Sequence, residues 1–135
     1  MQRVWRTVTG FYHVCARGTG KQLIFEGDED RWEFLELMRE CCRKAGVTVI
    51  AWCLMGNHVH LVLADYEDRM SAAMHRLLLT YARRFNKRTR RTGHLFQNRF
   101  DRRSLDTDWQ TMEAIRSVHA NPQGAGMSLI ERYPW

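Results

Sequence analysis

Aromatic, β-branched and polar residues mix over Phe11 to Arg17 in a short run that predicts a first strand, broken by Gly18 and Gly20. A helix is expected over Asp30 to Ala45. There Phe34, Leu35, Met38, Cys41, Cys42 and Ala45 recur at helical spacing, Asp30 with Glu33 can form a capping box, and Gly46 supplies the C-terminal cap. Two apolar runs follow, Val47 to Leu54 and Val59 to Ala64, joined by Met55, Gly56 and Asn57. This reads as a hairpin in the middle of a sheet. Met70, Met74, Leu77, Leu78, Tyr81 and Phe85 then line one side of a second amphipathic helix. A further strand is expected within Leu95 to Leu105. Thr107 with Gln110 opens a last helix, expected to stop near Asn121 because Pro122 follows. The order strand–helix–strand–strand–helix–strand–helix predicts an α+β sandwich with helices packed on one side of an antiparallel sheet.

At 135 residues and 44% hydrophobic content the chain suits one domain, residues 1–135, with a sizeable core. No stretch nears the roughly 18 apolar residues of a membrane span, and Met1 to Gly10 lacks the apolar run of a signal peptide. Cys15, Cys41, Cys42 and Cys53 lack paired metal-ligand spacing and read as reduced, mostly buried thiols of a cytoplasmic protein. The net charge of +6 favours a polyanionic partner.

The charge is also concentrated. Between Arg83 and Arg103 stand nine basic residues: Arg83, Arg84, Lys87, Arg88, Arg90, Arg91, Arg99, Arg102 and Arg103, against one acid, Asp101. Phe85, His94, Phe96 and Phe100 interleave with them, and some of these rings could stack on unpaired bases. Phe85 lies on the apolar stripe and is expected in the core; the arginines are expected to contact phosphates.

In a strand, residues two apart point the same way, so His58 and His60 project from one face while Val59, Leu61 and Leu63 face the core. Two neutral imidazoles on one face are half of a divalent-metal site. Alone, such a pair is more often two satisfied polar residues. A third ligand is expected from the last helix, where Glu113, Ser117 and Asn121 form one polar stripe. An oxygen ligand there suits Mg²⁺ or Mn²⁺. Zinc is disfavoured on the expectation that Cys53 points away or lies too deep.

With these pieces placed, the chain resembles the single-tyrosine HUH transposases, especially the REP-associated tyrosine transposases. Tyr12-His13-Val14, Ile24-Phe25 before Asp28-Glu29-Asp30-Arg31, and Cys53-Leu54-Met55-Gly56-Asn57-His58-Val59-His60 carry the likeness. So do Arg84-Phe85-Asn86, Gly93-His94-Leu95-Phe96-Gln97 with Arg99-Phe100, and Asn121-Pro122. The resemblance implies a ferredoxin-like sheet on which His58 and His60, with Asn121, hold a divalent metal beside single-stranded or hairpin DNA. It also implies a tyrosine on the last helix that attacks a phosphodiester, leaving a 5′-phosphotyrosine and a free 3′-hydroxyl. Relatives often continue past a segment like Tyr133-Pro134-Trp135, so the resemblance implies a truncated chain.

At the nucleophile position this sequence carries Ser117. A phenol has a pKa of about 10, whereas a serine alkoxide is far more basic and its side chain shorter, so Ser117 is a poor substitute. Three explanations stand open: a decayed or domesticated copy that binds DNA without cutting it, an engineered substitution, or another tyrosine. Tyr81 has the best position for the last, although its place on the apolar stripe favours packing. Tyr12, Tyr66 and Tyr133 have no supporting pattern. The sequence leaves monomer and homodimer open. A metal-independent DNA-binding regulator of repeat hairpins is the second functional reading, and a ferredoxin-like RNA-binding module a remoter third.

Overall fold

The computed structural model describes residues 10–97 and 99–124. In chain order these form β1 (Phe11–Arg17), a short 3₁₀ turn (Thr19–Lys21), α1 (Asp28–Ala45), β2 (Thr48–Leu54), β3 (His58–Ala64), α2 (Met70–Thr89), β4 (Asp101–Leu105) and α3 (Asp108–Gly124). The four strands make one antiparallel sheet in the order β2-β3-β1-β4. The predicted hairpin is present, closed by the Met55 N–H donating to the His58 carbonyl at 2.9 Å. Its first strand is nevertheless an edge rather than central: β3 and β1 hold the middle, and β2 carries an irregularity between Val49 and Ala51.

The two-residue period sorts side chains cleanly. Tyr12, Val14 and Ala16 of β1 and Val59, Leu61 and Leu63 of β3 are buried on one face, in a core with Phe34 and Met38 of α1 and Met74, Leu77, Tyr81 and Phe85 of α2. Each such large side chain contributes roughly 1.5–3 kcal/mol by leaving water. Only two helices share this face. α3 packs on the opposite one, where Ala114 and Val118 join Ala51, Cys53, Val62 and Leu105 in a smaller core. The expectation of helices on one face therefore holds for α1 and α2 and fails for α3. β3 is apolar on both sides at Val62, which gives the second face something to bury.

The helix ends differ from expectation for local reasons. α1 begins at Asp28, and no side chain caps it at Gly27. Asp30 does not cap: it accepts the Glu26 backbone N–H at 2.7 Å and pairs with Arg88 of α2. Glu33 also reaches α2, meeting Arg88 at 2.9 Å and Arg84 at 3.4 Å. At its other end α1 stops in the left-handed conformation of Gly46, φ 75°. The Thr107–Gln110 capping box is present: Thr107 Oγ1 accepts the Gln110 N–H at 3.0 Å, and Gln110 Oε1 accepts the Thr107 N–H at 3.2 Å. α3 runs past Asn121 to Gly124, so Pro122 forfeits one backbone bond in the last turn without ending the helix. Among the described residues no helix is long and apolar enough to cross a membrane. All four cysteines are buried free thiols, as expected.

The ion pair between α1 and α2 is the costly contact to disturb, because Asp30 is only 5% exposed. Arg88→Met leaves that carboxylate buried without its cation. It should lower the unfolding free energy in urea titrations by about 2 kcal/mol, and adding Asp30→Asn should recover part of the loss.

Candidate functional site

β3 brings His58 and His60 onto the face that α3 partly covers, with ring centroids 4.9 Å apart and planes nearly perpendicular. Both rings are half-buried. Burial, followed by the Arg17 guanidinium, holds the His58 imidazolium form below its ordinary range. His60 is pushed down to about 4, chiefly by burial and then by His58, His13 and Arg17. At neutral pH both rings are therefore neutral, the form that ligates a metal without first losing a proton. His58 Nδ1 lies 2.7 Å from Asn57 Oδ1.

Two neighbours on this face were given no role from the sequence. His13 of β1 meets His60 with His60 Nδ1 and His13 Nε2 3.3 Å apart. Arg17 sits directly across the ladder from His58 and pairs with Asp101 at 3.0 Å. Their signal was available in β1's alternation, which puts His13, Cys15 and Arg17 on the face opposite Tyr12, Val14 and Ala16. Reading it required the β1–β3 pairing, which the sequence does not display.

Cys53 is the cross-strand partner of His60 and shares its face, contrary to the expectation that it points away. It lies under α3, its sulfur 3.5 Å from that of Met55, and burial raises its thiol to about 11. Direction therefore does not disfavour Cys53 as a ligand; its depth does, as the other half of the expectation had it, and burial keeps the thiol protonated. Among the described residues no group of three His, Cys, Asp or Glu converges as a metal site. Glu113 of α3 is engaged with Arg116 at 3.3 Å. Asn121 lies in the last turn of α3, on the helix that covers the histidine face, and its side chain is outside the described residues. The two imidazoles of β3 offer nitrogen donors of the kind that hold a divalent metal.

Ser117 is exposed on α3, one residue before the buried Val118. Tyr81 is excluded as a substitute nucleophile. It is fully buried on the other side of the sheet, its hydroxyl donates to the Ile24 carbonyl at 2.5 Å, and burial raises its phenol far above the ordinary range. Tyr12 is likewise buried on that side, and Tyr66 packs against Phe11, which pairs with Ala64 at the far end of β3 from His58. Tyr133 lies outside the described residues.

The basic segment divides into parts. Arg103 pairs across from His13 and is exposed on the histidine face. Arg83, Arg99 and Arg102 line a groove of about 1020 Å³ between α2 and the segment before β4, with Leu79, His94 and Phe100. No Asp or Glu stands among its described lining residues. Arg102 also lies over the Tyr12 ring, on the face away from the histidines. Arg84 and Arg88 are neutralised by α1, and Arg91 bonds Gln22 and lies over Phe85. Lys87 and Arg90 are exposed, Arg90 ending α2 at φ 59°. Acids 50 residues away in sequence reduce the free cations to fewer than their density suggested. The segment still ends near the histidines, because Phe96 bridges to Gly18 and the Gln97 N–H donates to the Arg17 carbonyl.

No curated protein sequence matches the chain. Among solved structures it is similar to a REP-associated tyrosine transposase bound to a REP hairpin, with a TM-score of 0.80 and 12% identity, over 100% of this chain and 80% of that one. It is also similar to a protein described as a transposase from Deinococcus radiodurans R1, with a TM-score of 0.55 and 20% identity, over 82% and 88% of the two chains. At these identities the likeness carries the fold. A family model described as "Transposase IS200 like" matches residues 7–118, a span that includes His13, His58, His60 and Ser117. The chain therefore belongs to the IS200-like transposase family.

Proposed function

We propose that this chain binds single-stranded or hairpin DNA, holds Mg²⁺ or Mn²⁺ with His58, His60 and Asn121, and has lost most strand-cleaving capacity through Ser117. The observation that carries the reading is the pair of half-buried, neutral imidazoles side by side on the sheet face that α3 crosses. The ion, when bound, would polarise a phosphodiester and stabilise charge developing on its oxygens. The chain's own residues supply the rest. His58 and His60 offer neutral nitrogens, and Arg103 adds positive charge on the same face.

A serine hydroxyl at 117 gives up its proton far less readily than a phenol and is a poorer leaving group in the return step. No described tyrosine stands ready to replace it: Tyr12 and Tyr81 are on the wrong face and Tyr66 is at the wrong end. That observation favours, as the second reading, a DNA-binding regulator without chemistry. The groove holding Arg83, Arg99 and Arg102 suits a polyanionic strand, since three guanidinium groups face it with apolar and aromatic surface between them. Its volume is on the scale of sites that enclose small ligands, about 300–1,000 Å³.

Incubated with Mn²⁺ and a hairpin-flanked single strand, the unaltered chain should give little or no covalent protein–DNA adduct on denaturing gels. Ser117→Tyr should create one, and adding His58→Ala should abolish it. A strong adduct from the unaltered chain would contradict the impairment, and no adduct from Ser117→Tyr would leave the regulator reading standing. DNA affinity should also fall with salt. Arg83→Ala should flatten the log–log slope by about 0.7, the contribution of one neutralised phosphate on a single strand. Arg88→Met, already paired to α1, should leave that slope unchanged.

A further inference from the structure

A neutral imidazole carries one proton on two nitrogens, so a ring ligates a metal through one nitrogen only when the other holds the hydrogen. For His58 the choice is made by Asn57. Its Oδ1, which can only accept, lies 2.7 Å from His58 Nδ1, while its Nδ2 donates to the Lys21 carbonyl at 3.5 Å and sets the amide's orientation. Nδ1 of His58 must hold the proton, which leaves Nε2 with the lone pair.

His60 has no such oxygen at Nδ1; it has His13. The β1–β3 ladder places His13 opposite Val62, diagonal to His60 on the same face. The two rings are within 14° of parallel with centroids 5.4 Å apart, and His60 Nδ1 lies 3.3 Å from His13 Nε2. We propose that His13 accepts the Nδ1 proton of His60 and so fixes the tautomer that presents Nε2 to a divalent cation. His13 is thus a positioning residue of the metal centre; the inference rests on the metal-binding reading above. His13 acts through His60 and not on the ion. The device repeats: each ligating ring has its rear nitrogen held by a neighbour, the arrangement that orients metal-bound histidines generally.

The test uses the full chain in three forms: unaltered, His13→Phe, which keeps a ring without an acceptor, and His13→Gln, whose carboxamide oxygen can accept. In metal-free protein, long-range ¹H–¹⁵N spectra of the histidine rings read the tautomer directly. His60 should carry its proton on Nδ1 in the unaltered chain, become a mixture in His13→Phe, and return toward Nδ1–H in His13→Gln. Mn²⁺ titrated alone by calorimetry should bind about tenfold more weakly to His13→Phe, with His13→Gln between. A His60 proton on Nε2 in the unaltered chain would overturn the proposal, as would a His13→Phe protein with unmoved tautomer and Mn²⁺ affinity. Absence of Mn²⁺ binding to the unaltered chain would overturn the metal reading itself. The ring spectra would then still accept or reject the His13–His60 arrangement on their own.

Discussion

The two-residue period of β3 is the constraint on which the rest depends. Val59, Leu61 and Leu63 are fully buried against α1 and α2, and this forces His58 and His60 onto the other face. A slip of one residue would drive both imidazoles into the core and expose three large apolar side chains, so the register is held by several kcal/mol of burial. The position of the histidines is therefore a consequence of core packing. Because β3 lies inside the sheet, flanked by β2 and β1, its neighbours are fixed as well: Arg17 across from His58, and His13 diagonal to His60.

The second face is where core and chemistry compete. Ala51, Cys53, Val62 and Leu105 take α3, while the three histidines beside them stay half-buried and Arg17 exposed. Partial burial keeps the imidazoles neutral and still leaves them approachable. The fully buried thiol of Cys53 is by contrast held protonated beside His60. The difference between a usable donor and an inert one here is depth under α3.

Much of this was legible in the sequence, for identifiable reasons. β1, both main helices and the β2–β3 hairpin follow from local periodicity and turn residues, and the His58–His60 pair from strand alternation. What was not legible depends on pairing between distant segments. The face chosen by α3 turns on Val62 being apolar on the otherwise polar side of β3. His13 and Arg17 gain meaning only through the β1–β3 register. The arginine cluster was overcounted because Asp30 and Glu33, on a different helix, neutralise Arg84 and Arg88. Position on a helix made Tyr81 the best-placed substitute tyrosine while the apolar stripe favoured packing, and its hydroxyl is indeed tied to Ile24, a residue in no regular element. Ser117 was plain from the sequence, and it is exposed on α3.

The most direct measurement is pulsed electron paramagnetic resonance of Mn²⁺ bound to the full chain. If β3 carries a metal centre, the bound ion should show couplings to two histidine nitrogens, with one lost in His58→Ala and one in His60→Ala. Mn²⁺ bound without any histidine nitrogen coupling, or with couplings that survive both substitutions, would contradict it.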